Sequence, residues 1–206
     1  MRSIESKLTM KEQLAVRLMD LCGHATRPLR HKGFYNLTKR LGFWCGPDTT
    51  VRLRLNEDSV YELALRDPYW NRLVHRSFTY EPEIMHFFSL LSGHPFAFVD
   101  GGANWGFWSV LASSQAYGAR ETVAYEPMPI AYEYMVRNAT INEGRFRTVQ
   151  RAIADRPMTN IPMRTGATAE LSAVGASIAD DSGKDGDVVY VDAVSLDQVL
   201  ASLESD

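Results

Sequence analysis

Two acids flanking a glycine-rich bend are the residues best placed to do chemistry in this chain. The apolar run Phe96-Ala97-Phe98-Val99 ends in Asp100 and passes into Gly101-Gly102-Ala103-Asn104-Trp105-Gly106. Further on, Thr122-Val123-Ala124-Tyr125 ends in Glu126. Strand, glycine loop, helix, strand and acid is the order that holds an adenosine-containing cofactor. Glycines let the strand turn sharply while a ligand lies against the backbone. The following helix start offers unpaired N–H groups, which suit a carboxylate or a phosphate equally.

Spacing and charge narrow the ligand. A dinucleotide fingerprint needs glycine at its first, third and sixth positions. Gly101, Ala103 and Gly106 come close with one substitution, whereas Gly102, Asn104 and Phe107 do not. Asp100 directly before the loop would repel a pyrophosphate and suit a cationic amino group. S-adenosylmethionine carries an ammonium, a carboxylate and a sulfonium but no phosphate. Asp100 can accept from the ammonium, loop N–H groups can take the carboxylate, and Glu126 can accept from the ribose hydroxyls. Methyl transfer mainly needs alignment, with a general base where the acceptor is an alcohol. His75, His86 and His94 are candidates by type, and His75 is the best placed, in the aromatic stretch before the cofactor unit. No cysteine or histidine cluster suggests a metal.

The elements that must position these groups follow from period and punctuation. Thr9-Met10-Lys11-Glu12 is a capping box, and Met10, Leu14, Leu18 and Leu21 recur at helical spacing, with Gly23 as the stop. A basic, Gly/Pro-broken linker over 24–48 holds a short helix near 34–41. Val51, Leu53 and Leu55 alternate with Arg52 and Arg54, Asn56-Glu57-Asp58 turns, and Tyr61, Leu63 and Leu65 alternate again, which predicts a β-hairpin. Pro82 opens a helix to Leu91. Then come strand 96–100, helix 104–116, strand 121–125, a helix from Pro127 and Pro129 to Asn142, and strand 146–150. That alternation predicts a parallel sheet with right-handed crossovers. Residues 165–187 read as a flexible loop, Val188–Val191 as a strand, and Ser195-Leu196-Asp197-Gln198 as a capping box before a helix over Val199–Leu203. The division is an N-terminal extension over 1–95 covering the pocket and a cofactor-binding domain over 96–206.

With these residues in order, the chain resembles the FkbM family of S-adenosylmethionine-dependent methyltransferases. The resemblance is carried by Phe98-Val99-Asp100-Gly101-Gly102-Ala103-Asn104-Trp105-Gly106-Phe107, Ala124-Tyr125-Glu126-Pro127, Asn138 and Asn142, Arg151-Ala152-Ile153-Ala154-Asp155, and upstream Tyr80-Glu81-Pro82-Glu83. It covers about residues 77–203. It implies a Rossmann-like, doubly wound, mainly parallel sheet of the class I methyltransferase type. It also implies that Asp100, Gly101, Gly102, Ala103, Asn104 and Gly106 cradle the methionine part and that Glu126 holds the ribose. Pro127 and Met128 would pack near the adenine, and Arg151 and Ala152 would approach its edge. Family members mostly methylate hydroxyl oxygens of sugars, polyketides and related small molecules, so the expected partner is a small-molecule or glycan acceptor. Such proteins usually continue into a further strand with a Lys-Ile-Asp-x-Glu-Gly-type signature, and this sequence stops before it. The sheet would then be incomplete, with an exposed edge that favours a homo-oligomer. Two other readings stay open: a catalytically incompetent cofactor-binding or association module, and an NAD-linked oxidoreductase.

Composition sets the outer bounds. A chain of 206 residues with 45% hydrophobic and 23% charged residues fits one ordinary globular core. No apolar run reaches the roughly 20 residues of a membrane span, and no secretory leader pattern opens the chain, which predicts a cytoplasmic protein with no membrane partner. Cys22 and Cys45 are too few for a disulfide framework. The formal charge of −3 hides a basic N-terminal quarter and an acidic C-terminal one. Arg27, Arg30, Lys32, Lys39 and Arg40, interleaved with Phe34 and Tyr35, lack any accompanying nucleic-acid motif. They read as a solvated surface, and no nucleic-acid partner is expected.

Overall fold

Thr9 caps the first long helix through the reciprocal bonds its sequence predicts: its hydroxyl accepts from the Glu12 N–H, and the Glu12 carboxylate accepts from the Thr9 N–H at 2.8 Å. The computed structural model describes residues 3–29, 31–91, 93–164, 177–178 and 187–203. It divides into two units, Met1–Ser92 and Gly93–Asp206.

The first unit runs β1 (Ser3–Ile4), α1 (Met10–Thr26), a 3-10 turn (Arg27–Leu29), α2 (Phe34–Gly42), β2 (Thr50–Arg54), β3 (Val60–Ala64), a 3-10 turn (Asn71–Val74) and α3 (Pro82–Leu91). β2 and β3 form the expected hairpin, Val51 opposite Leu63 and Leu53 opposite Tyr61, and β1 extends it antiparallel on β2. Val51, Leu53, Tyr61 and Leu63 are buried.

Helix α1 corrects the sequence reading twice. Met10, Leu14 and Leu21 are exposed, and the buried face is Ala15, Val16, Met19, Gly23 and Thr26. Ala15 and Gly23 sit on this face beside Val16 and Met19 because a neighbouring element comes in close. Gly23 shows how close: it does not stop the helix but lies inside it, and a Cβ there would sit 2.2 Å from Cγ of His75. Phe34, read as part of a basic surface, is buried in the core at 1% exposure.

The second unit runs β4 (Phe98–Gly101), α4 (Phe107–Ala112), a 3-10 turn (Gln115–Tyr117), β5 (Thr122–Tyr125), α5 (Pro129–Ile141), β6 (Arg147–Val149), β7 (Ala152–Ala154), β8 (Met158–Arg164), β9 (Ser177–Ile178), β10 (Val188–Ser195) and α6 (Leu196–Leu203). β4, β5 and β6 form a parallel sheet in that order, with Asp100 beside Ala124 and Gly101 beside Tyr125. The unit is thus mixed α/β with helical crossovers between parallel strands. The order advances in one direction, and the reversal that defines a doubly wound sheet does not occur among the described residues.

A second sheet has the order β7-β10-β8-β9. β10 runs antiparallel to β8 and parallel to β7. The sequence reading contained neither β7 nor β8. The predicted loop over 165–187 lies outside the described residues except for Ser177–Ile178 and Asp187. Val123 and Tyr125 of β5, Val194 of β10 and Val199 of α6 form one apolar cluster, joined by Val99, Val149, Ile153 and Leu203. The Ser195 capping box is present: the Gln198 N–H donates to the Ser195 hydroxyl, and the Gln198 side chain accepts from the Ser195 N–H. No helix among the described residues is long and apolar enough to cross a membrane.

Candidate functional site

The parallel register sets the tips of β4 and β5 side by side, so Asp100 and Glu126 end neighbouring strands. The loop between β4 and α4 then folds back over β5. The N–H groups of Gly102 and Ala103 both donate to the Tyr125 carbonyl at 2.9 Å. The loop reverses through left-handed backbone at Gly102 (φ 75°), Asn104 (φ 53°) and Gly106 (φ 78°). Gly106 is doubly required, since a Cβ there would meet Met135 at 3.1 Å and Phe146 at 3.3 Å. Beside Gly102 the space is open, with nothing within 4 Å of where a Cβ would stand.

Glu126 locks this geometry. One carboxylate oxygen accepts from the Asn104 N–H and the other from the Met128 N–H, each at 2.8 Å. The residue is buried, at 4% exposure. Burial pushes its carboxyl above the ordinary range, the bonds from Met128 and Asn104 pull it back, and Asp100 nearby adds to the upward push. Asp100 is half-buried and accepts from the Ser109 hydroxyl at 2.6 Å. The next turn is held from α5: the Trp105 ring stacks on Tyr134 with centroids 3.8 Å apart and 7° between planes, and the Asn138 amide donates to the Trp105 carbonyl at 3.0 Å. Asn142 donates in turn to the Asn138 carbonyl at 2.7 Å. Both asparagines therefore support the loop rather than face a ligand.

The structure places the remaining sequence candidates unevenly. Gly101 and Gly102 are exposed on the loop, Ala103 is buried, and Asn104 is half-buried. Pro127 is half-buried and Met128 is buried at the entry to α5. Arg151 is exposed between β6 and β7, and Ala152 begins β7. One expectation is corrected. The N–H groups of Gly102, Ala103, Asn104 and Gly106 are not offered to a ligand carboxylate, because each donates to Tyr125, Glu126 or Ala103 inside the protein.

His75 belongs to the first unit and is fully buried there. Its Nδ1 lies 2.8 Å from Oδ1 of Asp20. Neither ring nitrogen of His75 faces solvent, and Nδ1 is engaged by Asp20. Burial works to raise the Asp20 carboxyl, but the bonds from His75 and the Arg76 N–H outweigh it and hold it below its usual range. His24 also approaches Asp20, Nε2 to Oδ2 at 3.9 Å. Ser109 and Tyr134 were missed as partners of the loop, since neither residue type nor spacing marks a contact across a helix pair.

No family model matches the chain, and no curated protein matches it. Among solved structures, the chain is similar to a Pyrococcus horikoshii protein named "putative transferase", at 15% identity with a TM-score of 0.36. The likeness covers 62% of this chain and spans 50% of that protein's length.

Proposed function

We propose that the loop between β4 and α4 binds S-adenosylmethionine and that the protein is a methyltransferase acting on a hydroxyl oxygen of a small molecule or glycan. One observation carries the reading: the loop's donors are turned inward while carboxylates stand at both strand tips. Four backbone N–H groups of the loop, those of Gly102, Ala103, Asn104 and Gly106, are spent on Tyr125, Glu126 and Ala103. In this reading the two carboxylates make the site acceptor-rich and negative, which favours a cationic ligand and disfavours a pyrophosphate. A sulfonium and an ammonium on one small molecule fit such a site, and so does the resemblance in the order of motifs from Asp100 to Asp155.

In this reading Asp100, oriented by Ser109, accepts from the ammonium. Glu126 is first a clamp on the loop, and its carboxylate keeps acceptor capacity beyond its two backbone bonds for the ribose hydroxyls. Pro127 and Met128 would border the adenine. The chain's own contribution to rate is alignment of the sulfonium methyl with the acceptor oxygen. The test is binding of S-adenosylhomocysteine to the wild type, Asp100→Ala and Glu126→Ala. Weaker binding in both variants supports the assignment, and unchanged affinity in both removes the two acids from the site.

A further inference from the structure

Helix α1 presents Asp20, Gly23 and His24 on one face, because residues three and four apart are neighbours on a helix. The His75 ring lies against that face, in the space that Gly23 leaves by having no side chain. One oxygen or nitrogen from each of Asp20, His24 and His75 lies within 4.8 Å of the others. We propose that these three side chains, all in the first unit, bind a divalent transition-metal ion of the zinc class.

Two imidazoles and one carboxylate are the donor set of zinc and its borderline neighbours, not of magnesium or calcium. Access is graded suitably: the His24 and Asp20 side chains are 53% and 30% exposed, and His75 is closed off. The two exposed side chains can swing inward to close a coordination shell around a fixed His75, leaving one position for water.

A second observation points to a ligand. Nε2 of His75 and Nδ1 of His31 are both buried and without a hydrogen-bond partner. Their rings are neighbours, with centroids 5.6 Å apart. An ionised Asp20 carboxylate can only accept, so the 2.8 Å contact assigns the His75 proton to Nδ1. That tautomer leaves a bare lone pair on Nε2 facing no donor, which is a costly arrangement in a buried site. An ion on Nδ1 moves the His75 proton to Nε2, where a movement of the neighbouring His31 ring would let its Nδ1 accept it and pair both orphan nitrogens. The second ring nitrogen of a metal-bound histidine usually makes such an outer bond.

The experiment uses the full chain stripped with chelator and titrated by calorimetry with zinc chloride. The expected result is one zinc per chain and no magnesium binding. His24→Ala is expected to lower zinc affinity by about tenfold or more, with the ion-free melting temperature unchanged. His86→Ala, an exposed histidine on α3, is expected to bind zinc as the wild type does. Cobalt substitution supplies a readout independent of any variant: visible bands of a nitrogen/oxygen site without thiolate charge transfer. No zinc binding, His24→Ala binding as tightly as wild type, or a thiolate band from Cys22 or Cys45 would each overturn the proposal.

Discussion

The carboxylate of Glu126 bridges the N–H of Asn104 and the N–H of Met128, joining the glycine loop to the entry of α5 through one side chain. The acid therefore determines the shape of the site before it determines any ligand contact. Replacing it tests fold and function together.

Glu126→Gln keeps one acceptor and turns an amide N–H₂ toward a backbone donor. The expected loss is about 1–3 kcal/mol of stability, the cost of leaving a buried N–H unmatched. The pH dependence has a definite sign. Burial raises the Glu126 carboxyl in the folded state, so the native protein holds a proton that the unfolded chain has released. Wild-type stability from this group is fully present below the ordinary glutamate range and is lost as pH rises through the raised value. The gap between wild type and Glu126→Gln should narrow over that window in urea denaturation. A gap that widens with pH would contradict the assignment.

Ser109→Ala removes the hydroxyl that donates to Asp100 from a fully buried position on α4. A hydrogen bond to a charged acceptor contributes about 1.5–3 kcal/mol. Stability should fall by up to that amount, and S-adenosylhomocysteine should bind more weakly because Asp100 loses its orientation. Unchanged affinity would show that Asp100 needs no partner to act.

Gly23→Ala should destabilise although alanine is the better helix former. The gain in helix propensity is about 1 kcal/mol, while driving a methyl group into the His75 ring costs about 1–3 kcal/mol or more. Shrinking the ring should reverse the sign: in a His75→Ala background, Gly23→Ala should stabilise. A double-mutant cycle by thermal denaturation reads this directly, and additive effects would contradict the contact.

Asn138→Ala should loosen the loop from outside it. The substitution strips the donor from the Trp105 carbonyl, with an expected loss of about 1–3 kcal/mol. Limited proteolysis should show faster cleavage near 101–106 than in the wild type.

These residues also show what a sequence reveals and what it hides. Caps and punctuation were legible because they act within a few residues: both capping boxes and α3 from Pro82 to Leu91 stand where the chain predicts them. The loop and its two acids were legible because strand, bend and strand follow in order. Four things were not. Helix α4 spans only Phe107–Ala112, since Gly106 delays its start in left-handed backbone. The buried face of α1 was misread because apolar size is not the same as contact: Met10 and Leu14 outrank Ala15 and Gly23 in hydrophobicity, yet close packing selects the small residues. β8 was hidden by Pro162, which reads as a strand breaker. It is tolerated where β9 pairs with Met163 and Arg164 and no described residue pairs with that side of Pro162. The Asp20–His75 contact joins residues far apart in sequence, and no local pattern could announce it.

The central claim is that the rim formed by Asp100, the Gly101–Gly106 loop and Glu126 selects a positively charged methyl donor over a dinucleotide. Calorimetric titration of the full chain with S-adenosylhomocysteine and, separately, with NAD tests it most directly. The account predicts saturable binding of S-adenosylhomocysteine and none of NAD. Binding of NAD alone would contradict it.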